Sequence, residues 1–168
     1  MIRSREKHMV CATQKGISVI EIVIVVFVAT VLLFSIAQVA GISFRISTEK
    51  KLELRAGYYA QEGVEALHAM RDESWATRIG ALTASTTYYF VPTASAWTLS
   101  ASNPGTLDGV FTRTAVMQNV SRDANDDITS SGTNDPDTKK FTVTVTWGTQ
   151  TGVHALAVDA YLTNLYKN

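Results

Sequence analysis

The hydrophobic pattern divides the chain into a long apolar run, an amphipathic stretch and a region of alternating residues. Residues 17–44 contain a single charged side chain, Glu21, among Val, Ile, Leu, Phe, Ala and a few small polar residues. At about 1.5 Å per residue, such a run makes a helix of roughly 42 Å, which exceeds the roughly 30 Å hydrocarbon core of a bilayer. The pattern therefore predicts a transmembrane helix over residues 17–44.

The helical pattern continues over residues 45–74 but becomes amphipathic. Apolar or small residues recur at spacings of three and four, charged residues fill the other positions, and no proline interrupts the stretch. We therefore expect one continuous helix from about residue 17 to about residue 72, whose second half offers an apolar stripe to a folded domain. The residues expected in this stripe are Ile46, Leu52, Ala56, Tyr59, Gly63, Leu67 and Met70.

Three glycines lie within this predicted helix, at positions 41, 57 and 63. Each weakens a helix by about 1 kcal/mol relative to alanine. Two interpretations remain open: the glycines are merely tolerated, or they permit close helix approach or local melting during assembly.

Beyond Trp75 the period of the pattern becomes two, and the composition shifts to Thr, Ser, Val, Tyr and Gly. The short connections between the strands predict an antiparallel meander, and its apolar face needs a cover such as the amphipathic half of the helix. The predicted fold class is α+β, with a long N-terminal helix packed on a C-terminal antiparallel sheet over residues 75–168. The predicted strands are Thr86–Val91, Ala96–Ser100, Gly109–Arg122, Lys140–Gly148 and Val153–Leu165.

The sixteen residues before the apolar run are basic. Against one acidic residue, Glu6, they carry four cations, which are Arg3, Arg5, Lys7 and Lys15. The positive-inside rule places this end in the cytosol and everything after Phe44 outside it. An ordinary secretory signal peptide fits less well, because the apolar run is about twice as long as a typical h-region and no small-x-small cleavage site follows it.

The border between the basic segment and the apolar run carries a specific motif, KGISVIE at residues 15–21. A basic leader ends in Gly16, and the fifth residue of the following apolar helix is Glu21. This motif resembles the class III signal of type IV pilins and type II secretion pseudopilins. The departures from the usual pattern are Ile17, where Phe or Met is more common, and Ser18 and Val19, where Thr and Leu are common.

The resemblance implies how the chain is processed. In that family a membrane-embedded prepilin peptidase cuts after the glycine on the cytosolic side and methylates the new amine. Carried over, residues 1–16 are a cleaved leader, the scissile bond joins Gly16 to Ile17, Ile17 becomes the N-methylated first residue, and Glu21 is the assembly glutamate. An amine with a reference pKa near 8 is largely cationic, and methylation keeps that charge.

The resemblance also implies the partners and the location of the chain. They are the peptidase, an inner-membrane assembly platform, and other pilin subunits in a helical filament that is extracellular or periplasmic after a membrane-bound stage. Glu21 would pair with the Ile17 amine of a neighbouring subunit and fix the axial offset between helices. The sequence leaves open a major pilin, a minor pilin or a secretion pseudopilin, and the alternative outside the family is a plain signal-anchored surface protein.

The charge balance bears on partners as well. The total of 15 basic and 15 acidic residues is zero, because the leader carries +3 and the remainder −3. Residues 76–168 hold 6 basic and 7 acidic side chains, which argues against broad binding of nucleic acid. The single cysteine, Cys11, lies in the leader and excludes an intramolecular disulfide framework.

One loop has alternating oxygen side chains, as calcium loops do. Asp123, Asn125 and Asp127 are the candidate Ca²⁺ ligands, and Asp135 and Asp137 are expected to follow in the same loop. The loop departs from an EF-hand because Ile128 stands where the sharp turn needs Gly and Asn134 replaces the bidentate Glu, so a solvated loop is favoured. No other cofactor is expected.

Catalysis finds little support in the sequence. Beyond residue 17 the chain has two histidines, His68 and His154, no cysteine, no His-Glu-x-x-His and no glycine-rich phosphate loop. We therefore do not expect an enzyme. The tryptophans and the aromatic run at residues 88–90 are interpreted as core rather than as an adhesive patch, because aromatics at strand spacing are more often buried.

Overall fold

The computed structural model describes residue 16, residues 18–149 and residues 152–165. The leader cations Arg3, Arg5, Lys7 and Lys15 and the expected new N-terminus Ile17 lie outside these residues. The chain separates into two compact units, Met1–Ile46 and Ser47–Asn168. Its elements are helix α1 (Val19–Glu73), a π-helix (Trp75–Ile79) and strands β1 (Thr87–Pro92), β2 (Trp97–Ser100), β3 (Phe111–Arg122), β4 (Ile128–Thr129), β5 (Thr133–Thr149) and β6 (Gly152–Thr163).

The fold is α+β, with a long N-terminal helix and a C-terminal antiparallel sheet. Within the second unit, α1 buries a stripe against the sheet, and its buried residues are Ala56, Ala60, Gly63, Ala66, Leu67 and Met70. The predicted stripe is confirmed at four of its positions, while Leu52 and Tyr59 are half-buried. Ile46 belongs to the first unit and is 53% exposed, so its assignment to the stripe was wrong.

Gly63 marks a close approach of α1 to the sheet. A Cβ atom at this position would lie 2.9 Å from Val143 Cγ1, 3.2 Å from Arg113 Cδ and 3.3 Å from the Phe90 ring. At Gly41 and Gly57, by contrast, an added Cβ would meet nothing within 4 Å. Gly63 therefore permits close packing of α1 on the sheet, and Gly41 and Gly57 do not lie at such a contact within this chain. Close helix approach or local melting during assembly stays a prediction.

A π-helix follows α1 where the sequence suggested the beginning of the β-rich region. Ser74 caps it, because the Ser74 side chain accepts a hydrogen bond from the Thr77 N–H at 3.4 Å. Trp75 and Ile79 bury their side chains in the core, at 5% and 0% exposure. These two apolar residues are four positions apart, which suits a helical turn that lies on the sheet rather than a strand.

The sheet is antiparallel throughout, with strand order β2-β1-β3-β5-β6 and the short β4 paired to the end of β3. The predicted simple meander was wrong at one point, because β3 pairs with β1 rather than with β2. The five predicted strands are present with ends shifted by a few residues, apart from β5, which begins at Thr133 instead of Lys140.

The early start of β5 has a specific cause. Asn119 pairs with Lys139 whereas the next residue, Val120, pairs with Asp135, so three residues of β5 bulge out of the ladder at this point. The bulge contains Pro136, which cannot donate a ladder hydrogen bond. The alternation that marks a strand is interrupted there, which is why the sequence pattern did not extend this strand to Thr133.

The core forms two clusters between the helix and the sheet. The larger one gathers residues of α1, the π-helix and five strands around Leu67, Met70 and Phe141, and the smaller one surrounds Phe111 and Trp147. The interpretation of aromatics as core is confirmed for Trp75, Phe90 and Trp147, which are at most 6% exposed.

Candidate functional site

The candidate site is the start of α1, where the motif of the apolar border lies. Gly16 is exposed and has no atom within 4 Å of the place a Cβ would occupy. The Ser18 carbonyl accepts hydrogen bonds from the Glu21 N–H at 2.9 Å and the Ile22 N–H at 3.3 Å. Ser18 therefore stands at the N-cap of a helix that begins at Val19, and Glu21 lies in its first turn.

Glu21 also has the sequence spacing of a helix-capping residue, which the sequence reasoning missed. Ser18 and Glu21 are spaced as the N-cap and N3 residues of a capping box, in which the acidic side chain satisfies a free N–H at the helix start. A carboxylate in the first turn is also favoured by the helix dipole. The S-x-x-E signal was readable in the sequence. Capping needs only a hydrogen-bond acceptor at position 21, which Glu or Gln supplies. Pairing with an amine of another subunit needs the negative charge of a carboxylate.

The surface next to Glu21 is apolar. A shallow groove of about 250 Å³ is lined by Glu21, Ile22, Val25 and Val26. Among the residues that the structure describes, α1 is the one helix long and apolar enough to cross a membrane, and none of its most apolar window is buried. A carboxylate at the end of such a surface is placed where water can solvate it or an external cation can neutralise it.

Two hydroxyls inside the apolar half of α1, those of Thr30 and Ser35, are satisfied within the helix. Thr30 Oγ1 donates to the Val26 carbonyl at 2.7 Å, and Ser35 Oγ donates to the Val31 carbonyl at 2.8 Å. Such back-bonding lets small polar side chains exist in a lipid environment without an unpaired donor. The polar residues of the run are thus compatible with membrane anchoring.

In the second unit, a buried arginine joins α1 to the sheet. The Arg113 side chain is 2% exposed, and its Nη1 donates to Glu62 Oε2 at 2.6 Å and to the Tyr59 carbonyl at 3.0 Å. Its guanidinium carbon lies 4.8 Å from the ring centre of Phe90 and 5.1 Å from that of Trp97. The contact is a charge-assisted clamp with cation–π packing on two rings.

Sequence reasoning did not single out Arg113, although a signal for it exists. On β3 the inward positions are Phe111, Arg113, Ala115 and Met117, and all four are at most 5% exposed. A cation in phase with the buried face of a strand needs a partner, because an unpaired buried charge is strongly unfavourable. The inward-facing position of Arg113 on β3 therefore indicates that its side chain binds another element.

The candidate calcium loop is closed by its own hydrogen bonds. Asp123 Oδ1 accepts from the N–H groups of Asn125, at 2.8 Å, and Asp127, at 3.0 Å. Asp126 adopts a positive φ of 69°, which aspartate tolerates in tight turns. The Asp123 carboxylate therefore acts as an Asx-turn acceptor in this arrangement.

The two later aspartates do not share this loop, which corrects the expectation for them. Asp135 and Asp137 lie in β5. Asp135 Oδ2 instead receives a hydrogen bond from Arg122 Nε at 2.7 Å, and Arg122 Nη1 donates to the Asp126 carbonyl at 2.8 Å. Within residues 18–149 and 152–165 no group of three or more His, Cys, Asp or Glu side chains is arranged to hold a metal. The Arg122 guanidinium thus binds both Asp135 of β5 and the loop at Asp126.

The Arg122 pair leads to a prediction about acid stability. The hydrogen bond from Arg122 holds the pKa of the Asp135 carboxyl below its ordinary value, aided by Thr138. A lowered folded-state pKa contributes stability that is present above the unfolded pKa, near 3.9, and is lost as pH falls through the folded value. We expect Arg122→Gln to lower the melting temperature of the detergent-solubilised chain at pH 7, and this difference to shrink towards pH 2.

Lys50→Gln is the matched control for that measurement. Lys50 pairs with Glu53 at 2.6 Å, but both side chains are more than half exposed. Exposed pairs of this kind contribute little to stability. A Lys50→Gln effect as large as that of Arg122→Gln, or an Arg122→Gln effect independent of pH, would contradict the role assigned to the pair.

Comparison with known proteins adds no identification. No protein-family model, curated protein sequence or solved structure matches this chain.

Proposed function

We propose that the chain is a structural subunit, a pilin, of a type IV pilus-like filament that is assembled through its N-terminal helix. The observation that carries the proposal is the Gly-Ile-x-x-x-Glu motif at the start of an exposed apolar helix. The α+β arrangement of a long N-terminal helix and an antiparallel sheet supports it, since this architecture is pilin-like. The role is structural rather than catalytic.

The processing step follows from the position of the motif. A glycine before the scissile bond lets the peptidase approach the backbone closely, and Gly16 has open space around it. The leader cations hold the bond at the cytosolic surface, where anionic headgroups attract basic segments. Cleavage and methylation leave a cationic amine at Ile17, four residues before Glu21 in the sequence.

The assembly step follows from the cost of an unpaired charge. Once the apolar halves of α1 leave the lipid and pack together, the Glu21 carboxylate loses water. The Ile17 amine of a neighbouring subunit would neutralise it and would fix one axial offset between the two helices. The same logic serves a type II secretion pseudopilin, which shares this processing and differs in the secretion machinery beside it.

Mass spectrometry of the N-terminal peptide of the mature protein tests the proposal. In cells that contain a prepilin peptidase, we expect a chain that begins at Ile17 and carries one added methyl group. Gly16→Val should leave the leader attached, because its branched side chain obstructs the approach to the scissile bond. Gly41→Val, a control substitution at an open position inside α1, should be cut normally.

Two other N-termini of the mature chain would contradict the proposed processing. A mature chain that keeps residues 1–16 identifies a plain signal-anchored protein. A chain that begins at any residue other than Ile17 contradicts the proposed processing.

A further inference from the structure

The helix does not cover the whole inner face of the sheet. Residues paired across β5 and β6 point to the same face, so Val143, Val145 and Trp147 share the inner face with their partners on β6. The three β5 residues are at most 6% exposed. Their partners are His154, Leu156 and Val158, which are exposed or half-buried, and Val158 is 37% exposed. These three β6 residues are named the hairpin patch.

The patch exists because the sheet is wider than one helix. Five strands spaced by about 4.8 Å make a sheet roughly 20 Å across, whereas a helix with its side chains is about 10–12 Å wide. The other end of β6 is covered, since Leu162 is 0% exposed and belongs to the larger core cluster. On β6, the uncovered area therefore lies at the end of the strand nearer Gly152.

The hairpin patch contains no Asp, Glu, Lys or Arg. The one acidic residue of β6, Asp159, points to the opposite face of the sheet and binds Lys140 Nζ at 2.7 Å. Leu156 already packs against the smaller core cluster of Ala56, Ala60 and Phe111. An apolar helix laid beside α1 would thus continue an existing helix-on-sheet interface instead of creating a separate one.

We propose that the hairpin patch docks the apolar half of α1, residues 19–46, from a second copy of this chain. That segment is a helix whose large apolar side chains are about 50–75% exposed, and it loses its lipid cover when a subunit leaves the membrane. The inference rests on the proposed function. A helix of one copy on the sheet of the next is a heterologous contact, which generates an open helical assembly when the rotation between copies does not close into a ring.

Photo-crosslinking tests the docking in the full chain. The crosslinking residue p-benzoylphenylalanine is placed at position 158, inside the patch, or at position 157, which is exposed on the opposite face of the same strand. In cells that form filaments, we expect position 158 to give an adduct of two copies whose linked peptide maps to residues 19–46. Position 157 should give no adduct with that segment.

The outcomes separate this inference from the proposed function. Suppose that the chain is cut at Ile17 and enters filaments. If position 158 then gives no adduct, or gives an adduct with β6 of the second copy or with another protein, the docking is wrong and the filament role stands. If the leader is retained and no filament forms, both are wrong.

A pair of charge substitutions provides an independent measurement. Val158→Asp should reduce incorporation into filaments by roughly tenfold or more, because it places a carboxylate against an apolar helix. Ala157→Asp puts the same charge one residue away on the exposed outer face and should assemble within about twofold of the parent chain. Equal incorporation of the two variants would overturn the docking.

Discussion

Glu21→Ala is expected to leave processing and membrane insertion intact and to abolish or strongly reduce filament assembly. Removing one partner of a desolvated ion pair costs roughly 3–5 kcal/mol. Because about 1.4 kcal/mol corresponds to a factor of ten, the loss for each subunit contact exceeds roughly a hundredfold. The measurement is the fraction of processed chain recovered in sheared filaments, with the N-terminal mass as a check that cleavage at Ile17 is unchanged.

Glu21→Gln separates the intermolecular role of this residue from its local one. Glutamine suits the N3 position of a capping box as glutamate does, so the start of α1 at Ser18 and Val19 should be preserved. It carries no charge, so it cannot neutralise an amine. We expect the Gln variant to fail in assembly as the Ala variant does. Assembly restored by Gln would assign Glu21 to helix capping and refute its role in fixing the offset between subunits.

Gly63→Leu is expected to destabilise the second unit by roughly 3 kcal/mol or more, because overpacking a closely packed contact strains it. A Cβ alone would lie 2.9 Å from Val143 Cγ1, and Val143 is a buried, β-branched residue with little freedom to move. The remaining carbons of the leucine would press against Arg113 and Phe90. Denaturant unfolding of the solubilised full chain, followed by tryptophan fluorescence, measures the effect.

Gly57→Leu is the matched control on the same helix. An added Cβ at position 57 meets nothing within 4 Å, so the substitution gains helix propensity, up to about 1 kcal/mol, without a clash. The two variants are therefore expected to shift stability in opposite directions. A Gly63→Leu chain as stable as Gly57→Leu would show that α1 does not need a glycine where it crosses the sheet.

The elements that could be predicted are those in which the surroundings of each residue, water or an apolar environment, set the sequence of polar and apolar positions. The apolar run over residues 17–44 has the length and the low charge content of a bilayer span, and it is helical from Val19 onward. The strand over residues 141–147 alternates cleanly because one face packs on a helix and the other faces water. Both signals are local, and both elements are present in the structure.

The elements that were missed depend on contacts that the local pattern does not contain. The first residues of β5 are in a strand because they pair with β3 across a bulge at Pro136, and the polar residues there show no alternation. The π-helix forms because Trp75 and Ile79 reach a core that is built from distant strands. Pairing with a remote segment overrides local propensity in both cases.

The candidate site divides in the same way. Gly16 and Glu21 could be singled out because the resemblance to a family motif depends only on the order of neighbouring residues, and their roles stay predictions. The interpretation of Asp135 and Asp137 as loop residues failed, because Arg122 recruits Asp135 into the sheet through a hydrogen bond that no spacing rule describes. The Arg113 clamp likewise joins residues more than fifty positions apart.

The close approach at Gly63 has a mechanical consequence. On a helix, the residues four positions before and after Gly63 occupy the same face, and these are Tyr59 and Leu67. Sliding α1 along the sheet by one turn, about 5.4 Å, would bring one of these large side chains to a gap that accommodates only a hydrogen atom. Gly63 thus prevents α1 from sliding along the sheet in either direction. Tension applied along the helix must therefore first separate the helix from the sheet.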